Sequence, residues 1–271
     1  MRRVESLKNP SVKLALSLRD KRKRTSQGLF LIEGQRELQR AAEAGLPVDL
    51  VIVDESRTSE PEISGILAQV QRHCDAEVLS ANHAVMERVC VRGVDAVAIA
   101  IAPMYSLDLS RLKVQENALF LVAAGIEKPG NLGTILRSAD AAGATGVIVC
   151  DEVTDIFNPN VIRASLGTLF SVPVARTTFA KLLQWARGHS ISLVAASPES
   201  ATPYTRADYT KSVGLIIGNE AQGLRKDWLD KVDVVVSLPQ LGQADSLNAA
   251  MASTLMVFEA RRQRDLERTP C

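Results

Sequence analysis

The stretch ALFLVAAGIEKPGNLGTILRSADAAGATGVIVC (118–150) decides the fold. It opens on a continuous apolar strand (118–125), passes through a glycine-rich turn into a helix over 131–143, and returns to a second apolar strand, GVIVC (146–150). Uninterrupted apolar strands joined by helices are the pattern of a parallel sheet covered on both faces. Downstream, SLVAAS (192–197), VGLIIG (213–218) and VDVVVSL (232–238) read as further strands, and a helix runs from about Ser246 to Leu266. Upstream the alternation is shorter. Residues 10–24 read as a helix carrying Val12, Leu14, Leu16 and Leu18, followed by the strand GLFLIEG (28–34) and the helix QRELQRAAEAG (35–45), which Gly45 ends. VDLVIVD (48–54), a helix over about 60–74 and DAVAIAIA (95–102) complete this part. Pro103 then breaks the pattern, and 104–117 holds no long apolar run. The expected organisation is an α/β domain over 1–103, a linker over 104–117 and a parallel-sheet α/β domain over 118–271.

Hydrophobic residues make up 46% of the 271-residue chain, enough for one large core or two modest ones. The net charge is only +1, but residues 1–30 carry nine Lys and Arg (Arg2, Arg3, Lys8, Lys13, Arg19, Lys21, Arg22, Lys23, Arg24) against Glu5 and Asp20. A basic end on a nearly neutral protein points to a polyanion docked on part of the surface. Cys74, Cys90, Cys150 and Cys271 show no CxxC spacing, which fits reduced thiols and neither a disulfide nor a zinc site. His73, His83 and His189 form no ligand cluster. No stretch approaches the roughly 20 apolar residues of a membrane span, and no apolar core of signal-peptide length follows the charged start. The expectation is a soluble cytoplasmic protein without a metal.

In a parallel α/β sheet, ligands bind beyond the carboxyl ends of the strands, and three strand ends of the second domain carry unusual loops. In 125–146, Gly130 and Gly133 bracket Asn131 at a helix start, where backbone N–H groups can hold an anion, and Arg137 follows one to two turns on. In LIIGNEAQGL (215–224) a glycine-bounded turn carries Glu220 directly off a strand. In LPQLGQADSLNAAMA (238–252), Ser246 and Asn248 sit at a helix start that Asp245 or Ser246 is placed to cap. None is a Walker loop or a dinucleotide fingerprint, since GK[ST] and GxGxxG are both missing.

In order, PGNLGTILRSADAAGA (129–144), IIGNEAQGL (216–224) and LP-x₅-DSLNAAMA (238–252) resemble the three signature motifs of the SpoU (TrmH) family of RNA ribose methyltransferases, within the SPOUT superfamily. NPNVIRASLGTLFSVPV (158–174) is similar to a further family stretch, and the likeness covers about residues 118–262. NPSVK (9–13) and FLIEG (30–34) resemble the L30e-like substrate-binding domain that precedes the catalytic domain in many members. The sequence departs from the family pattern at Glu127-Lys128-Pro129, at LPQ (238–240) and at AAMA (249–252), which are changes of packing more than losses of polar groups.

The resemblance implies a parallel-sheet SPOUT domain with a C-terminal trefoil knot, and S-adenosylmethionine as cofactor. It assigns the cofactor contacts to Gly218, Leu238 and Leu247. The implied reaction methylates a ribose 2′-hydroxyl of RNA, ribosomal RNA above transfer RNA because of the L30e-like domain. A non-catalytic RNA-binding protein of the same fold is the reading from another class. The implied catalytic set is Asn131, Arg137, Glu220, Ser246 and Asn248. Arginine stays protonated, so Arg137 is expected to bind a phosphate and position the hydroxyl. RNA contact is expected from Arg19, Lys21, Arg22, Lys23 and Arg24, from Glu33 and Arg36 at the strand-to-helix turn, and from Arg163 and Ser165 on the catalytic domain. The family likeness also implies a homodimer, with the alanine-rich last helix (246–262) a part of its interface.

Overall fold

Two sheets organise the chain. The computed structural model describes residues 1–90, 97–243 and 246–268. It divides into one unit of Met1–Ser106 with Asp155–Ser171, and a second of Leu107–Thr154 with Val172–Cys271.

The first unit contains β1 (Arg2–Val4), α1 (Pro10–Ser17), α2 (Lys21–Gln27), β2 (Leu29–Glu33), α3 (Gln35–Glu43), β3 (Leu50–Asp54), α4 (Pro61–His73), β4 (Glu77–Ala81), α5 (His83–Val89) and β5 (Ala98–Pro103). Its five-stranded sheet has the order β1-β4-β3-β5-β2. β4 pairs in parallel with β1 and β3, whereas β5 runs antiparallel to β3 and β2. Leu31, Ile52, Leu79 and Ile99 line the core beneath Val12, Ala15 and Val85 from the helices. The helix expected over 10–24 is two helices. The Asp20 carboxylate accepts from the N–H groups of Arg22 (2.8 Å) and Lys23 (3.1 Å), and so starts α2 afresh. Residues 95 and 96 of the strand expected over 95–102 lie outside the described residues.

Asp155–Ser171, with α7 (Pro159–Ala164), belongs to this first unit, although its sequence reads as part of the second. The reason is aromatic. The Phe30 ring on β2 lies 4.7 Å from that of Phe157 and 6.3 Å from that of Phe170, centroid to centroid.

The second unit contains β6 (Leu119–Ala124), α6 (Pro129–Ala141), β7 (Gly146–Cys150), β8 (Val174–Thr177), α8 (Phe179–Gly188), β9 (Ser192–Ala196), β10 (Val213–Ile217), α9 (Lys226–Leu229), β11 (Val234–Val236) and α10 (Ala249–Arg268). All six strands pair in parallel, in the order β11-β9-β10-β6-β7-β8. The continuous apolar runs therefore do what their composition demands: β6, β7 and β10 are buried at every residue. α8 and Trp228 cover one face over Phe120, Val122 and Ile148, while α6 and α10 pack on each other and on β6 and β10. The strand expected over 232–238 is only three residues long. The expected linker is part of this unit from Leu107 onward. Leu107 and Leu112 are buried, and the Leu107 carbonyl accepts the Arg176 N–H at 2.6 Å.

The register Ile217↔Ala123 sets the carboxyl ends of β10 and β6 side by side. The loops that follow them, 218–224 and 125–128, are thereby brought together at the centre of the sheet.

Candidate active site

Three polar side chains join these loops into one chain of hydrogen bonds. Asn131 sits in the first turn of α6, and its side-chain amide donates to Glu220 Oε1 at 2.6 Å. Its Oδ1 accepts from Asn248 Nδ2 at 3.0 Å. The Glu220 carboxylate also accepts from the backbone N–H groups of Glu127 (3.0 Å) and Lys128 (3.1 Å). A carboxylate held by two amide N–H groups and an asparagine donor has most of its acceptor capacity filled. Burial alone drives the Glu220 carboxyl up; these hydrogen bonds outweigh that and hold it below the ordinary carboxylate range.

Asn248 has a second task. Its Oδ1 accepts from the N–H groups of Ala250 (2.9 Å) and Met251 (3.4 Å), so Asn248 caps α10. The cap expected from Ser246 is therefore corrected to Asn248, two residues on, and Asp245 lies outside the described residues. One asparagine thus starts the helix with its oxygen and reaches Asn131 with its amide. A hydroxyl pair, Ser138 Oγ to Thr254 Oγ1 at 2.7 Å, ties the same two helices further along.

Asn219 is a member that the sequence reading passed over. Its amide donates to the Gly125 carbonyl (2.9 Å) and to Glu127 Oε1 (3.0 Å). Its oxygen accepts from the N–H groups of Ala221 (2.8 Å) and Gln222 (3.0 Å). Gly125 can turn there because it adopts φ +63°. The Glu127 carbonyl, in turn, accepts from Thr154 Oγ1 at 2.5 Å. The only signal available beforehand was an asparagine beside Glu220 in a glycine-bounded turn.

Beyond these loops lies a cavity of ≈ 680 Å³, within the range of small-molecule sites. Its walls are the turn 218–224, the end of β9 with Ser197 and Glu199, α9 with Lys226 and Leu229, and the segment around Leu238, Ser246 and Leu247. Gly218, Leu238 and Leu247, the expected cofactor positions, all line it. Gly218 is obligatory, since a Cβ there would stand 2.5 Å from the Gly223 carbonyl carbon. Leu238 is buried, and Leu247 and Ser246 are exposed at the edge. The cavity offers apolar side chains, backbone groups and a few charged side chains, a lining suited to a nucleoside carrying an amino-acid arm. The group of His, Cys, Asp and Glu that a metal needs is missing among the described residues.

The structure brings Asn131, Glu220 and Asn248 into direct contact and sets Ser246 on the cavity. Arg137 stands apart on the exposed side of α6 and makes no hydrogen bond or ion pair among the described residues.

The residues expected on RNA divide in the same way. Arg24 is corrected. It is 2% exposed, donates to Asp155 Oδ2 from Nε (2.9 Å), and donates to the carbonyls of Leu18 (2.9 Å) and Arg19 (2.8 Å). Arg19 is also committed, its Nη2 donating to the carbonyls of Arg88, Val89 and Cys90 at the end of α5. Glu33 is buried, and Ser165 is fully buried with its hydroxyl on the Ile162 carbonyl at 2.6 Å. Arg163 is half-buried, donates to Asn160 Oδ1 at 3.0 Å, and lies in the first unit with Ser165. Lys21, Arg22, Lys23 and Arg36 remain exposed.

A parallel α/β sheet thus carries a glutamate–asparagine–asparagine chain, Glu220–Asn131–Asn248, at its carboxyl edge, with a nucleoside-sized cavity beside it. Residues 118–258 match the SpoU rRNA Methylase family, and residues 9–94 match the MRM3-like substrate binding domain. The 23S rRNA (uridine(2479)-2′-O)-methyltransferase of Streptomyces viridochromogenes is 35% identical, over 93% of this chain and 89% of that one. The 23S rRNA (guanosine(2553)-2′-O)-methyltransferase RlmP of Bacillus subtilis is 30% identical, over 96% and 100%. The crystal structure of the SpoU methyltransferase AviRb from Streptomyces viridochromogenes, in complex with the cofactor AdoMet, superposes with a TM-score of 0.88 at 32% identity, over 95% of this chain and 99% of that one. The chain belongs to the SpoU rRNA methylase family, with a substrate-binding unit ahead of its methyltransferase unit.

Proposed function

We propose that this protein transfers a methyl group from S-adenosylmethionine to a ribose 2′-hydroxyl of ribosomal RNA. The observation that carries the reading is the Glu220–Asn131–Asn248 chain beside the cavity that Gly218, Leu238 and Leu247 line. The relatives named above support ribosomal RNA over transfer RNA. When bound, the cofactor supplies an electrophilic sulfonium methyl, an already activated donor that requires no metal.

The chain's own residues then have separable tasks. The turn 218–224 and the segment around Leu238 and Leu247 hold the nucleoside and exclude water. Glu220, fixed by three donors, keeps the first turn of α6 and the loop before it in one geometry. Asn131 passes that geometry to Asn248, and Ser246 meets either the methionine arm or the target nucleotide. A 2′-hydroxyl is a poor nucleophile at neutral pH and must be oriented and relieved of its proton as it attacks. Arg137, exposed and without a hydrogen bond or ion pair among the described residues, binds the phosphate next to the target ribose and so holds the hydroxyl in line.

Lys21, Arg22, Lys23 and Arg36 supply phosphate contacts on the substrate-binding unit. Arg163 is a further candidate from the same unit. The methyltransferase unit closes in a C-terminal trefoil knot, and the protein acts in the cytoplasm as a homodimer. Support for the dimer comes from α10, where Met251, Leu255 and Phe258 are 61%, 44% and 45% exposed at spacings of four and three residues. Such a stripe on one helix face is what a second copy would cover. Among the described residues, no helix is long and apolar enough to cross a membrane.

The experiment is transfer of labelled methyl from S-adenosylmethionine to separated ribosomal and transfer RNA, both prepared from cells lacking the enzyme. Label in ribosomal RNA supports the proposal. Label confined to transfer RNA reassigns the substrate, and cofactor binding without transfer to either leaves an RNA-binding protein.

A further inference from the structure

Two consecutive polar residues, Asn219 and Glu220, follow the carboxyl end of β10, and the proposed reaction gives a task to Glu220 alone. We infer that Asn219 is a positioning residue, which through its contact with Glu127 locks the cofactor wall to the loop after β6; this rests on the proposed cofactor site.

A side-chain amide has two N–H donors and one carbonyl oxygen with two lone pairs. Asn219 uses all of them: its N–H groups reach the Gly125 carbonyl and Glu127 Oε1, and its oxygen takes the N–H groups of Ala221 and Gln222. Its backbone is fixed as well, donating to the Gly223 carbonyl at 3.2 Å and accepting from the Gly223 N–H at 2.9 Å. The turn so held, from Gly218 to Leu224, is one wall of the cavity.

No other side chain of similar size meets these demands. Aspartate has the same shape but presents a second oxygen to the Gly125 carbonyl and to the Glu127 carboxylate, where both partners are acceptors. Serine is too short to span both loops. The charged groups on the joined segments are Glu127, Lys128 and Glu220, and Glu199, Lys226 and Asp230 line the same cavity. Of these, only Glu127 accepts from the Asn219 side chain. The carboxylate at position 127 thus dictates an amide at position 219.

The polarity of this contact can be reversed, and that supplies the test. Asn219→Asp, Glu127→Gln and the double variant are titrated calorimetrically with S-adenosylmethionine on the full chain at pH 8. Loss of a hydrogen bond to a charged group predicts on the order of a ten-fold weaker affinity for Asn219→Asp. Glu127→Gln alone costs less, since a neutral acceptor remains. In the double variant the amide introduced at position 127 donates to the carboxylate introduced at position 219, and part of the affinity returns, the remaining deficit being the Gly125 carbonyl left facing an oxygen. Wild-type affinity in Asn219→Asp, or a double variant no better than Asn219→Asp, overturns the inference. If Asn219→Asp is too unstable to titrate, a folded and cofactor-binding double variant still supports it, and a double variant equally unstable overturns it. Failure of the wild-type protein to bind the cofactor would instead overturn the underlying site.

Discussion

Asn248 Nδ2 meets Asn131 Oδ1 at 3.0 Å while Asn248 Oδ1 caps α10, so the start of the last helix and the first turn of α6 are positioned by a single side chain. The site and the α10 surface therefore share a support.

Asn131→Ala removes a donor from Glu220 and the acceptor of Asn248 in one step. Hydrogen bonds to charged groups are worth about 1.5–3 kcal/mol. The expected outcome is a loss of kcat/KM on the order of ten- to a hundred-fold, with fold retained by circular dichroism. Asn248→Ala should lose a similar factor and, as a lost cap, about 1 kcal/mol of stability by thermal melting.

Glu220 sets an acid limit. Its folded pKa lies below its unfolded value, so on acidification the unfolded chain takes up the proton first. Its contribution is complete above the ordinary glutamate value, about 4.3, and is lost as pH falls through the lower folded value. The wild-type melting temperature should therefore fall more steeply than that of Glu220→Gln as the pH drops below about 4.3. Parallel curves for the two proteins through that window would contradict the assignment.

The arginines of the basic run separate by burial. Arg24→Ala leaves Asp155 without its partner in a buried setting, and breaking such a pair costs about 3–5 kcal/mol. Its expected signature is a loss of stability in urea. Replacing Arg22 and Lys23 together by Ala should leave stability unchanged and weaken RNA binding, with a shallower dependence of log K on log salt, roughly 0.7–0.9 per lost phosphate contact.

The stripe on α10 predicts that Phe258→Glu, alone or with Leu255→Glu, gives a monomer by light scattering coupled to size exclusion. A dimer of unchanged mass in the double variant would place the interface elsewhere.

The parts of this architecture that were legible beforehand are those where composition leaves no choice. Runs such as 118–124 and 213–217 are apolar at nearly every position and can be stable only where both faces are covered. The motif asparagines and Glu220 were legible as a set because their spacing resembles that of a family. What the chain did not disclose depends on distant partners. Arg22 and Arg24 look alike in sequence, yet Asp155, 131 positions away, draws one of them inside. The grouping of Asp155–Ser171 with the first unit follows from Phe157 and Phe170 packing on Phe30, a contact between residues more than a hundred positions apart. Ser246, Asn248 and Asp245 all have cap-forming side chains, and the position of Asn131 gives Asn248 its two tasks. Asn219 escaped notice because its partner, Glu127, belongs to a different loop.

Delivery of the methyl group to a ribose oxygen, with Arg137 holding the hydroxyl in place, is open to a single decisive assay. Ribosomal RNA methylated in vitro by the wild-type protein and by Arg137→Ala is digested, and the labelled nucleosides are identified by mass spectrometry. A single 2′-O-methylnucleoside is expected for the wild type, with its yield strongly reduced in Arg137→Ala while cofactor affinity stays the same. Label on a nucleobase, or an Arg137→Ala variant as active as wild type, would contradict this mechanism.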